Sequence, residues 1–128
     1  MEQKPLGVVT AEELVSLIDT GKAMIIDSRD SDYGEGGVIK NSVHIPYFGL
    51  NFQGCKGIME RVEELGVDNV VTYCKYGQQR SVKMARRLVD FFAQYKPDST
   101  TKISYLQYGL EGFLDKYQDT GYVIPHYF

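Results

Sequence analysis

Cysteine is scarce in this chain: of 128 residues only Cys55 and Cys74 carry a thiol, which excludes a disulfide framework and suits a reducing compartment. Histidine is equally sparse. His44 and His126 show no metal-ligand spacing, and His44 reads as a strand or loop residue rather than a catalyst. Positive charge is not in excess either, since the formal net charge is −3, and no basic footprint for nucleic acid exists. No apolar run approaches the about 18 residues of a membrane span, and the start Met1-Glu2-Gln3-Lys4-Pro5 has no apolar signal core. These absences predict a soluble, intracellular protein, placed in the cytoplasm with the nucleus also open. Internal repeats, low-complexity tracts and interdomain linkers are missing too, and a chain of this length buries roughly two-thirds of its unfolded surface, enough for one core.

What is present alternates between helix and strand signals. Thr10 and Glu13 form a capping box before Leu14, Leu17 and Ile18, and Gly21 stops that helix. A strand is expected over Ala23 to Asp27, followed by a turn-rich passage from Ser28 to Gly37 and a short strand around Val43 to Ile45, ended by Pro46. Ile58, Val62 and Leu65 mark a second helix, Asn69 to Tyr73 a strand, and Val82, Ala85, Leu88, Val89 and Phe92 a third helix. Ile103 to Leu106 and Gly109 to Tyr117 supply a last strand and helix. Such alternation predicts an α/β fold with a mainly parallel sheet covered by helices on both faces and a ligand site beyond the carboxyl ends of the strands.

The chemistry concentrates where one strand gives way to a helix. Cys74 is followed by Lys75, Tyr76, Gly77, Gln78 and Gln79, then by Arg80 and Ser81. A loop of this composition can curl so that its amides form an anion-binding nest at the mouth of the next helix. Cys74 is then the nucleophile, Lys75 to Arg80 the phosphate-binding loop, and the Arg80 guanidinium a fork for two equatorial oxygens. Ser81 is expected to donate its hydroxyl to the sulfur when the sulfur leaves. Moving a thiol from about 8.5 to about 6 takes roughly 3.4 kcal/mol, whereas a helix terminus supplies only about 0.3–1 kcal/mol. Loop amides and Arg80 must therefore supply most of the shift, with a small addition from Lys75 on the rim.

Three further segments carry a family resemblance. Ile25-Ile26-Asp27-Ser28-Arg29 resembles the rhodanese fold's strand ending in Asp-x-Arg, and Glu35-Gly36-Gly37-Val38-Ile39-Lys40 resembles its Glu-Gly-Gly-His-Ile-Lys passage. Tyr105-Leu106-Gln107-Tyr108-Gly109-Leu110-Glu111-Gly112-Phe113 is similar to its terminal strand and glycine turn. The resemblance implies one rhodanese-like domain over residues 1–128: three layers, with helices flanking the sheet. Within the fold, the Cys-x5-Arg spacing resembles the cell-cycle dual-specificity phosphatases and eukaryotic arsenate reductases. Sulfurtransferases of this type usually have one loop residue fewer, the residue that the Gln78-Gln79 pair adds here.

The resemblance implies a phosphoric monoester hydrolase of the protein-tyrosine or dual-specificity type, with a phosphocysteine intermediate and no metal or organic cofactor. Its partner would be a phosphorylated protein or a small phosphate or arsenate oxyanion. Arsenate reduction with glutathione or glutaredoxin, sulfur transfer, and phosphopeptide binding or scaffolding without turnover stay open, as do substrate and oligomeric state. The chain also departs from the family. Its loop lacks the acids often found there, having Lys75 and Gln79 at the first and fifth intervening positions, which leaves Asp32, Glu35 and Glu111 as weak proton donors, or the substrate's own phosphate monoanion. Ser28 stands where the cell-cycle enzymes carry a protective cysteine. Asp27 and Arg29 read as a structural ion pair, Cys55 as a passive thiol in a loop, and Tyr76, Tyr47 and Phe48 as rim candidates, with core packing put ahead of the rim for Phe48.

Overall fold

A computed structural model describes residues 6–126; the Met1 to Pro5 start lies outside the described residues. Five parallel strands form the central sheet: β1 (Gly7–Val9), β2 (Ala23–Asp27), β4 (Ser42–His44), β5 (Asn69–Tyr73) and β6 (Lys102–Leu106), in the order β1-β6-β5-β2-β4. A separate antiparallel pair joins β3 (Val38–Ile39) to β7 (Val123–Ile124). Helices α1 (Ala11–Thr20), α2 (Phe52–Leu65), α3 (Arg80–Tyr95) and α4 (Gly109–Tyr117) complete the fold, with a 3-10 turn at Tyr47–Gly49. None of the helices among the described residues is long and apolar enough to cross a membrane.

Strand pleating sends alternate side chains to opposite faces, and so sorts the core into two layers. Met24, Ile26, Val70 and Ile103 pack with Cys55, Ile58 and Val62 of α2 and with Met84, Leu88 and Phe92 of α3. Ile25, Val71, Tyr73 and Leu106 pack instead with Leu14 and Ile18 of α1 and Leu110 and Phe113 of α4. Helices thus cover both faces, as the alternation predicts. Helix α1 begins with the expected capping box and ends at Gly21 in the left-handed region.

Two expectations are corrected here, those for Cys55 and Phe48. Cys55 lies inside α2 and is buried, not in a loop: the Asn51 side chain caps this helix by accepting from the Gly54 N–H, so it starts six residues before Ile58. Leu65, on the last turn of α2, is exposed. Phe48 is not a core residue either, for it sits on the 3-10 turn with 79% of its surface exposed. Smaller differences are the strand bounds, Ser42–His44 rather than Val43 to Ile45 and Lys102 rather than Ile103.

The Asp27–Arg29 pair is buried as a structural corner. Arg29 Nε and Nη2 donate to the Asp27 carboxylate at 3.0 and 2.8 Å, and Nη1 and Nη2 reach the carbonyls of Glu35 and Gly37 at 2.6 and 2.8 Å. One guanidinium thereby fixes the whole turn from 29 to 37 against the carboxyl end of β2. Buried charge is tolerable when each guanidinium nitrogen has a partner in this way.

Candidate active site

The carboxyl ends of β2 and β5 lie side by side, with Asp27 in register with Tyr73. The Ser28 N–H and Ser28 hydroxyl both donate to the Tyr73 carbonyl, at 2.8 and 2.7 Å, and so hold the peptide immediately before Cys74. On the far side of the thiol, the Thr72 hydroxyl donates to the Ser81 carbonyl at 2.8 Å, tying the first turn of α3 back onto β5. Strand end and helix start are therefore clamped before the loop between them takes its shape.

That shape is fixed by close packing of two glycines. Gly77 has φ +69° and Gly109 φ +60°, and a Cβ on Gly109 would stand 2.5 Å from the Cys74 carbonyl oxygen and 2.6 Å from the Gly77 nitrogen. Only a residue without a side chain fits such an approach in the left-handed region. Helix α4 then uses its first amides to hold the loop from outside. Leu110 N–H donates to the Cys74 carbonyl at 2.9 Å and Glu111 N–H to the Lys75 carbonyl at 3.0 Å. With these carbonyls engaged outward, the loop directs N–H groups to the sulfur, and no capping side chain at Gln79 takes up the amides of the α3 mouth.

Around Cys74 the electrostatics run in two directions. Burial pushes the thiol up, but the Ser81 hydroxyl, lying 3.2 Å from Sγ, the backbone N–H groups of Ser81 and Gly77, and the positive charge of Arg80 together bring it below the ordinary thiol range. The Ser81 hydroxyl acts more strongly than Arg80 here. A cavity of about 310 Å³ opens onto the sulfur, lined by Phe48, Cys74, Tyr76, Gln78, Gln79 and Arg80.

Of the expected site residues, Cys74, Tyr76, Gln78, Gln79 and Arg80 line the cavity, and Gly77 and Ser81 contact the sulfur. Lys75 stays on the rim with its ammonium 5.3 Å from the centre of the Tyr76 ring. Tyr47 packs against the α2–α3 core instead of the rim. Arg80 differs from the expected free fork. Its Nη1 and Nη2 donate to the two carboxylate oxygens of Asp32 at 2.7 and 2.8 Å, with Asp30 at 3.4 Å. The Arg80 hydrogen bonds hold the Asp32 carboxyl down at about 2, and Asp32 in turn raises the Arg80 guanidinium above its usual range.

Asp32 is therefore ionised over ordinary pH and supplies no proton in this state. Glu35 is exposed on the turn held by Arg29, and Glu111 lines a neighbouring hollow of about 490 Å³ that shares Tyr76 and Gln78 with the thiol cavity. Neither lines the cavity of Cys74. Sequence reasoning missed Asp30 and Thr72 as parts of the site, and Phe48 takes the rim place that its sequence reading sets second to core packing. Only the acidic spacing Asp30-x-Asp32 offered a signal, and its partner is 48 residues away.

Comparison with known proteins shows the same fold elsewhere. A solved structure of the As-Sb reductase of Leishmania major is similar at 29% identity and a TM-score of 0.78, covering 91% of this chain and 82% of that one. Ygr203w of Saccharomyces cerevisiae, described as a homolog of single-domain rhodanese and the Cdc25 phosphatase catalytic domain, shares the fold at 24% identity and a TM-score of 0.79, over 92% of this chain and 86% of that one. A thiosulfate sulfurtransferase of Pseudomonas aeruginosa shares it more distantly, at 19% identity and a TM-score of 0.58, over 94% of this chain and 21% of that one. No curated protein sequence matches at a significant level. The rhodanese-like domain family matches residues 10–116, from the cap of α1 through the cysteine loop into α4, and the chain belongs to that family.

Proposed function

We propose that the protein is a cysteine-dependent phosphatase. The observation that carries this reading is the convergence of the Ser81 hydroxyl and the Gly77 and Ser81 amides on the Cys74 sulfur, within a Cys-x5-Arg loop that opens onto a cavity. In the first step Cys74 Sγ attacks phosphorus, an S–P bond forms, and the bond to the leaving oxygen breaks. Water then attacks phosphorus, phosphate departs, and the sulfur leaves as a thiolate stabilised by Ser81.

The leaving oxygen also needs a proton. Among the described residues no carboxyl group lines the Cys74 cavity, and that proton comes from the phosphate monoanion of the substrate. Activity should accordingly rise with pH as Cys74 ionises, since the thiolate is the attacking form, and fall as the phosphate loses its second proton near about pH 6.

A second reading has an observation of its own, the 29% identity to the Leishmania As-Sb reductase. Arsenate is a tetrahedral near-copy of phosphate, and the same loop would bind it. Glutathione or glutaredoxin would then supply the two electrons that reduce arsenic. Sulfur transfer is disfavoured by the loop, one residue longer than the usual sulfurtransferase ring. Parallel assays of the reduced protein separate the three: aryl phosphate alone, arsenate with glutathione and glutaredoxin, and thiosulfate with cyanide. Hydrolysis of aryl phosphate with the bell-shaped pH profile is expected. Efficient cyanide-dependent sulfur transfer with no phosphate release would remove the phosphatase reading, and thiol-dependent arsenite formation alone would replace it with the reductase.

A further inference from the structure

The guanidinium of Arg80 already grips a pair of oxygens. Asp32 presents both carboxylate oxygens to its two terminal nitrogens, at 2.7 and 2.8 Å, which is how a tetrahedral oxyanion would present two of its own. This ion pair is not sealed from water, the side chains being 24% and 22% exposed, so opening it is a modest step. Nor would Asp32 be left unpartnered on opening, because its Oδ1 also accepts the Asp30 N–H at 3.1 Å. Asp30 in turn accepts the Phe48 N–H at 3.1 Å, which joins the acidic turn to the exposed aromatic wall of the cavity.

We propose that Asp32 is an intramolecular competitor for the oxyanion site, occupying the Arg80 fork in the empty protein and yielding it to a tetrahedral oxyanion that the loop amides also hold. The inference rests on the reading of Arg80 as the oxyanion-binding residue. A tetrahedral oxyanion that sets two oxygens on the fork has a further oxygen for the loop amides of Gly77 and Ser81, whereas a free carboxylate has none left to offer. Asp32 thereby becomes a specificity-determining residue that screens out the abundant singly charged carboxylates. It also explains how an arginine beside a reactive thiol can be held in place before substrate arrives.

The sign of one substitution separates competition from a merely structural role. Inorganic phosphate and acetate are titrated against the rate at which iodoacetamide alkylates Cys74, in the parent and in Asp32→Asn, Asp32→Ser, Asp30→Asn and Arg80→Ala. Both Asp32 variants should bind phosphate about fivefold more tightly than the parent, near the upper limit of what an ion pair open to water resists. Acetate protection, negligible in the parent, should become measurable in them, and Asp30→Asn should shift phosphate less than either. Weaker or unchanged phosphate binding in folded Asp32 variants overturns the inference and leaves Asp32 as a support for the fork. Unchanged phosphate binding in Arg80→Ala instead overturns the oxyanion role of Arg80, and the competitor with it.

Discussion

Replacing Cys74 with serine is expected to abolish turnover, by on the order of 10⁴-fold or more, while phosphate continues to bind. The two effects separate because they rest on different atoms. A serine hydroxyl is a far weaker acid than a thiol and stays un-ionised at neutral pH, so the attacking anion is lost. The binding cup survives, since the Gly77 and Ser81 amides, the Ser81 hydroxyl and the Arg80 guanidinium are unchanged by exchanging one side-chain atom. Phosphate affinity and aryl-phosphate hydrolysis measured side by side check this. A serine variant that still hydrolyses near the parental rate would remove Cys74 from the mechanism.

Gly109→Ala should be nearly as damaging, though Gly109 touches no substrate. Its φ of +60° is costly for any side chain, and the added Cβ would press on three backbone atoms at once: the carbonyl oxygens of Cys74 and Lys75 and the nitrogen of Gly77, all within 2.6 Å. Backbone atoms cannot swing aside as a side-chain tip can. Relief requires the loop and the start of α4 to part, which breaks the Leu110 and Glu111 amide bonds that hold the Cys74 and Lys75 carbonyls. A destabilisation of about 3 kcal/mol, a melting temperature lower by on the order of 10 °C, and loss of phosphate binding are expected together.

Gly66→Ala is the matched control. Gly66 also has a left-handed φ, +66°, but its Cβ would meet nothing within 4 Å, so the variant should lose some stability and keep its activity. Calorimetry and the phosphatase assay on both variants decide the point. Parental melting and full activity in Gly109→Ala would show that the two glycines do not shape the cup.

The parts of this molecule legible in its sequence are those whose physics is local. Ala23–Asp27, Asn69–Tyr73 and Gly109–Tyr117 fall within the expected bounds because apolar runs, turn residues and glycines punctuate them. The cysteine loop is legible for the same reason, as nucleophile, amides, Arg80 and Ser81 all lie within eight consecutive residues. The start of α2 was hidden by Gly54 and Gly57, poor helix formers that the Asn51 cap and the buried Cys55 and Ile58 override.

Strand β1 is only three residues long and exists through its pairing with β6, and β3 and β7 are two-residue strands that need each other. No local pattern announces such elements. The grip of Asp32 on Arg80 is of the same kind. It requires β2 and β5 to be neighbours in the sheet, and it turns a residue read as a weak proton donor into the one that occupies the arginine.

Phosphoryl transfer through Cys74 is tested most directly by rapid acid quenching of the reduced protein during aryl-phosphate turnover, followed by mass spectrometry of the peptide bearing Cys74. Phosphorus covalently bound to Cys74 is expected, forming and decaying no more slowly than turnover and absent from Cys74→Ser. Steady hydrolysis with no phosphorus on Cys74 at any time, or a persulfide on Cys74 after thiosulfate in a protein that never takes up phosphorus, would contradict it.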